Sequence, residues 1–242
     1  MKLKQAIAGA AALACMTAAH AQSAGTVYMT TGWFHLAPQS SSDPLQELSI
    51  GGTPVPPNLG IQKGTGASVD SSDTLGLSLG YFITDHIAVE AEAGIPPKFD
   101  LQGSGTLSQF GTLGTVRQWS PALLLKWHFM SAQSAFRPYV GLGVTYVWFT
   151  DASITNNQFE SQVLHGPTSV STDRSWAPVF NLGFDYTFTK HWFAGLSVSY
   201  IPVSVTATFT TTNAGPLNLT VQSKAHIGLD PIVTYAKIGY RF

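Results

Sequence analysis

Glu90 and Glu92 stand two residues apart in a run, 87–94, where Ile87, Val89, Ala91 and Ala93 alternate with Ala88, Glu90, Glu92 and Gly94. A period of two is a strand, and it puts both carboxylates on one face. The same reading sets Lys126 and His128 on the less apolar face of 120–129. Asp185 lies opposite the aromatic row of 176–188, and Lys237 and Arg241 lie opposite the apolar row of 232–242. Paired carboxylates do general acid–base work when a nucleophile or a water pocket accompanies them, and nothing of that kind does here. In a confined space carboxylates and cations pair, because an unpaired buried charge is costly. Glu90, Glu92 and Asp185 are therefore expected to bond Lys126, Lys237 and Arg241 as an ionic plug. Its bland role is to fill and stiffen; its functional alternative is a gate or ion path.

Other chemistry is sparse. The seven histidines, His20, His35, His86, His128, His165, His191 and His226, show no pair at metal-ligand spacing on one strand face, so no metal is predicted. Asp43, Asp70 and Asp73 read as a solvated group in a polar stretch. The single cysteine, Cys15, falls near the N-terminus, inside a segment with the form of a secretory signal. Lys2 and Lys4 are its positive region, 7–17 its apolar region and Ala19-His20-Ala21 its cleavage site. No Ser-His-Asp set, phosphate loop or dinucleotide fingerprint occurs; the chain is predicted to be no enzyme and to carry no cofactor. A formal net charge of −1 gives no footprint for nucleic acid.

The elements that must position the charges are strands throughout. Charged residues are only 10% of the chain and aromatics 12%, yet beyond the N-terminus no apolar run has a membrane helix's length. A membrane chain without such helices is a barrel. Alternation marks eight strands, near 26–36, 74–83, 87–94, 120–129, 136–150, 176–188, 192–209 and 232–242. Their connections run long, short, long, short, long, short, long. The long ones, 37–73, 95–119, 151–175 and 210–224, read mainly as loops, with strand extensions in the second and fourth. The predicted fold is all-β: an eight-stranded antiparallel transmembrane β-barrel over 22–242, with short periplasmic turns and long extracellular loops. Outer-membrane lipid would cover its apolar face. The soluble alternative, a lipocalin-like barrel, would point its bulky residues inward; here the aromatic row opposes a face of Gly, Ser and Thr. The facing of the first strand stays ambiguous, because both parities carry aromatics.

Several blocks resemble the OmpW family of small outer-membrane proteins, in which the alkane-uptake protein AlkL is counted. They are Tyr81-Phe82-Ile83-Thr84-Asp85-His86-Ile87-Ala88-Val89-Glu90, Phe136-Arg137-Pro138-Tyr139-Val140-Gly141-Leu142-Gly143, Ser175-Trp176, Gly183-Phe184-Asp185-Tyr186, and Leu229-Asp230-Pro231 through Gly239-Tyr240-Arg241-Phe242. The resemblance runs in order along the whole chain; the long loops match poorly. It implies a monomeric barrel with a narrow hydrophobic passage, associated with uptake of small apolar molecules, and a lateral exit through the wall. Tyr240 and Phe242 resemble the terminal signal by which barrel assembly machinery recognises its clients.

Above the plug, the inward candidates are Leu124, Val147, Val179, Ile201, Val203, Leu229 and Val233, an apolar chamber. A polar floor beneath such a chamber suits a small hydrophobic solute that comes from outside and leaves sideways into lipid. Pro121, Pro178, Pro202 and Pro231, which lack ladder donors, mark either a wall gap or strand ends. Two readings of other classes compete. One is a closed structural or receptor barrel whose loops bind phage, bacteriocin or host. The other is an outer-membrane enzyme, which needs a His and Ser pair that His128 does not supply.

Overall fold

The computed structural model describes residues 23–242. The expected signal segment, 1–21, lies outside the described residues. In chain order the strands are β1 (Val27–Ala37), β2 (Ser41–Ser42), β3 (Gln46–Ile50), β4 (Thr53–Pro54), β5 (Thr65–Val69) and β6 (Ser72–Phe82). Then come β7 (Ile87–Gly94), β8 (Lys98–Gly105), β9 (Thr112–Trp119), β10 (Ala122–His128) and β11 (Phe136–Ile154). Last are β12 (Thr168–Thr172), β13 (Ser175–Thr187), β14 (Trp192–Tyr200), β15 (Ser204–Ala214), β16 (Leu219–Gly228) and β17 (Ile232–Arg241).

Eight of these strands close on themselves. The path β10-β7-β6-β1-β17-β14-β13-β11 is sealed by the β10–β11 pairing, and every pair is antiparallel. The first and last strands meet from Tyr28 opposite Arg241 to Ala37 opposite Ile232, so neither leaves a free edge. Alternation dictates the facing. Leu77, Leu125 and Leu182 stand 52%, 52% and 62% exposed on the outer surface, while Ser78, Leu124, Lys126 and Asn181 are buried within. Leucines so placed need lipid around them. The ambiguity of the first strand is settled by closure: Tyr28, Thr30 and Leu36 point in, and Val27, Met29 and Trp33 point out.

The long connections differ from expectation. Residues 37–73 hold β3, β4 and β5, and 151–175 hold β12 and a helical turn, Asn157–Phe159, that runs on through Glu160–Leu164. Asn156 Oδ1 caps that turn by accepting the Phe159 N–H at 2.9 Å. The strand expected over 192–209 is two, β14 and β15, parted at Pro202, which cannot donate to a ladder. Above the barrel, β11 continues and carries β9, then β8 and β5, on one side. A second sheet, β12-β15-β16-β3-β4, faces them. Val205, Ala207 and Ile227 pack with Val147 and Ala177 of the barrel mouth, and Phe149, Leu101 and Phe209 lie against them. These long connections thus build a two-sheet roof on the barrel.

Candidate functional site

The floor of the site is a charged layer inside the lower barrel. Lys126 Nζ sits 2.9 Å from Glu90 Oε2 and 2.9 Å from Glu92 Oε1. Tyr28 donates its hydroxyl to the same Glu90 oxygen at 2.6 Å. Lys237 Nζ stands 3.2 Å from Asp185 Oδ1, an ion contact rather than an aligned hydrogen bond, and His128 Nε2 is 3.5 Å from Asp185 Oδ2. The two ammonium groups share the Tyr139 ring, at 5.0 and 5.1 Å from its centroid. Lys126 and Glu90 are each 0% exposed.

Sheet register explains how these groups meet. Tyr28, Gly80 and Glu90 share one rung across three strands, and the tyrosine crosses above the glycine to reach the carboxylate. Asp185, Gly195 and Lys237 share another in the same way. A Cβ on Gly80 would overlap the Tyr28 ring, and one on Gly195 would collide with Asp185 Oδ1. Each glycine is the saddle that a polar contact spans.

Of the six plug residues anticipated from sequence, Arg241 stays apart from the ion pairs. It lies on the rung of Tyr28, below Asp185, donates to Thr187 Oγ1 at 2.9 Å, and covers the Phe193 ring at 4.3 Å. Arg137 takes a place not anticipated. It is 0% exposed, stands opposite Asp185 in the ladder, and donates to the carbonyls of Asp85 at 2.6 Å and Phe129 at 3.3 Å. Its parity with the inward Tyr139 was the signal for it. Tyr28 was missed for want of a facing.

Above this floor lies a cavity of about 290 Å³. Val179, Ile201 and Val233 line it with Phe34, Leu36 and Trp148, and Glu92 is the one charged residue on its wall. Gln118 joins it to a second, mainly apolar cavity of about 100 Å³ under the roof, where Leu229 lies with Phe149 and Phe209. Val147 and Val203 pack in the cluster beside that upper space. Leu124 lines neither cavity: it is paired with Glu90 and belongs to the charged layer.

One interruption of the wall beside the lower cavity lies between β7 and β10. Pairing of β7 with β10 ends at Glu92 opposite Ala122, and pairing of β8 with β9 begins at Lys98 opposite Arg117. Between them the Gln118 N–H reaches Pro97 O at 3.1 Å. Pro96, Pro97 and Pro121 occupy this stretch and cannot donate. Pro178 and Pro202 flank a second break, where the pairing of β13 with β14 ends at Phe180 opposite Tyr200, although on the β11 side the ladder is continuous. Pro178 sits opposite Val144 in a ladder that runs on to Ser175, Pro202 parts β14 from β15, and Pro231 O accepts the Ile201 N–H at 3.2 Å. Among the described residues no group of three His, Cys, Asp or Glu is placed to hold a metal ion.

A closed barrel of eight antiparallel strands, apolar outside and charged within, with short turns at one end and long roofed connections at the other, is an outer-membrane barrel. The chain belongs to the OmpW family, whose profile matches residues 24–242. It is similar to outer membrane protein W of Vibrio cholerae, 31% identical over 86% of this chain and 88% of that one. It is also similar to outer membrane protein AlkL of Ectopseudomonas oleovorans, 28% identical over 92% of this chain and 86% of the relative. The crystal structure of OprG from Pseudomonas aeruginosa superposes with a TM-score of 0.77, at 30% identity, over 92% of this chain and 98% of that one.

Proposed function

We propose that the protein, once its 1–21 segment is removed, is a narrow passive channel that takes up small hydrophobic molecules and releases them sideways into the outer membrane. The stacking carries this reading: an apolar space under the roof adjoins a larger one in the barrel mouth across Gln118, and a buried ionic layer lies below. An apolar solute gains by burial in the first two and would have to displace paired charges to pass the third. The interruption at Pro96, Pro97 and Pro121 borders the cavity at the height where its exit is needed. Kinship with AlkL, which the sequence resemblance associates with alkane uptake, agrees with this.

The test is transport of an apolar fluorescent solute into vesicles with a lipopolysaccharide outer leaflet. Ile201→Asp puts a charge into the chamber wall and is expected to cut uptake at least about tenfold, the factor that about 1.4 kcal/mol of unfavourable transfer gives. The solute should reach the bilayer before any acceptor trapped in the vesicle lumen. Unchanged uptake by Ile201→Asp, or first arrival in the lumen, would count against the channel or the lateral exit respectively.

A further inference from the structure

The chamber is not uniformly apolar, and at three of its polar groups the neighbouring bonds fix the hydrogen-bonding sense. Glu92, Ala122 and Thr145 share a rung on one side of the lower cavity. Ser199 lines the cavity from the other side, on the rung of Val233 and Leu36. Lys126 engages Glu92 at Oε1, and among the described residues no hydrogen bond is made to Oε2. Thr145 gives its hydroxyl hydrogen to Pro121 O at 2.9 Å, so its oxygen is left to accept. Asn181 Nδ2 donates to Ser199 Oγ at 2.8 Å, so the serine hydrogen is left to donate. Glu92 and Thr145 thus offer acceptors and Ser199 a donor to whatever occupies the site; Thr74, Gln118 and Ser120 complete the polar lining, and aliphatic and aromatic side chains supply most of the rest of the wall.

From this we infer that the chamber selects apolar molecules with a neutral hydroxyl at one end, alkanols or phenols, over plain hydrocarbons and over carboxylates. A hydroxyl would donate to Glu92 or Thr145 and accept from Ser199, while its carbon chain lies among Leu36, Val179, Ile201 and Val233. A hydrocarbon leaves those polar groups unanswered in a desolvated space. A carboxylate would set a second negative charge against Glu92. The inference rests on the channel reading above and names the class of solute for the same cavity.

The experiment titrates the full barrel in lipid nanodiscs with 1-decanol, decane and decanoate at equal mole fractions in the lipid. Seating is read from the amide shifts of Gly94, Ala122 and Ser199, all on the cavity wall. Decanol is expected to saturate at a mole fraction about tenfold lower than decane, the worth of one hydrogen bond to a charged group. Decanoate should do no better than decane. Glu92→Leu should narrow the gap between decanol and decane to about threefold or less, because the acceptor that decanol uses and decane leaves unanswered is gone. Ser199→Ala keeps the ionic layer whole and should lower the decanol preference by a few-fold, so the inference stays testable if Glu92→Leu fails to assemble. Equal binding of decanol and decane, tighter binding of decanoate, or a preference that survives both variants overturns the selectivity and leaves the channel standing. If neither decanol nor decane shifts these amides, the channel reading fails, and this inference with it.

Discussion

Replacing Lys126 with methionine removes the cation that holds two carboxylates together. At 2.9 Å each contact is worth roughly 6 kcal/mol gross at an effective dielectric of about 20, and burial of three charges offsets much of that. What survives in the variant is the penalty of leaving two carboxylates buried, Glu90 with the Tyr28 hydroxyl and Glu92 without its cation. Breaking a buried pair in this way costs about 3–5 kcal/mol. Replacing all three charges, as Glu90→Leu, Glu92→Leu and Lys126→Met together, removes the penalty with the pair, and stability should return to within about 2 kcal/mol of the wild type. The surface pair Arg117–Asp151, 3.2 Å apart with side chains 48% and 70% exposed, is the internal control. Its Arg117→Gln variant should cost under about 1 kcal/mol. The assay is reversible denaturant unfolding in lipid vesicles, followed by tryptophan fluorescence, with all variants at one salt concentration. A Lys126→Met cost below about 1 kcal/mol, equal to the control, would mean that water reaches the layer, and the sealed floor would have to be abandoned.

Three further outcomes follow from particular contacts. Gly195→Ala should cost about 2–4 kcal/mol in the same unfolding assay, because its Cβ would press on Asp185 Oδ1 and lie 2.8 Å from Lys237 Cε; a neutral result would remove the saddle argument. Arg137→Gln should destabilise by about 2–4 kcal/mol, since a buried cation opposite Asp185 is lost along with its bonds to Asp85 O and Phe129 O. Deleting Phe242, whose N–H bonds Val27 O at 3.0 Å and whose ring meets Tyr240 edge-on at 5.2 Å, should slow assembly by purified barrel assembly machinery several-fold; an unchanged rate would argue against an assembly signal there.

Period-two alternation made the barrel legible from sequence. Leu77, Leu125 and Leu182 declared an outer face and Lys126, Glu90 and Asp185 an inner one, because a strand has only two sides and lipid and lumen ask for opposite residues. The roof was less legible. Val205, Ala207 and Phe209 alternate with Thr206 and Thr208 and read as one strand with 192–200, but that period does not show that they leave the barrel wall at Pro202 to pair with β16 in a hairpin and with the earlier β12. Pro96 and Pro97 are not among the prolines singled out from the sequence, since nothing local tells a strand-end proline from one beside a wall gap.

By itself the sequence determined the barrel strands, which face of most of them meets lipid, and that a handful of charges must share a narrow interior. Those follow from local chemistry and from the cost of exposing backbone polar groups to lipid. Only the tertiary structure decided who pairs with whom. Register placed Gly80 and Gly195 between their polar neighbours, put Arg241 below the ion pairs rather than among them, and brought Arg137 opposite Asp185. Closure turned Tyr28 inward onto Glu90 and left Glu92 as both a member of the ionic floor and the one charge on the chamber wall. Such choices depend on which rung meets which across strands far apart in sequence, and no period within a strand contains that information.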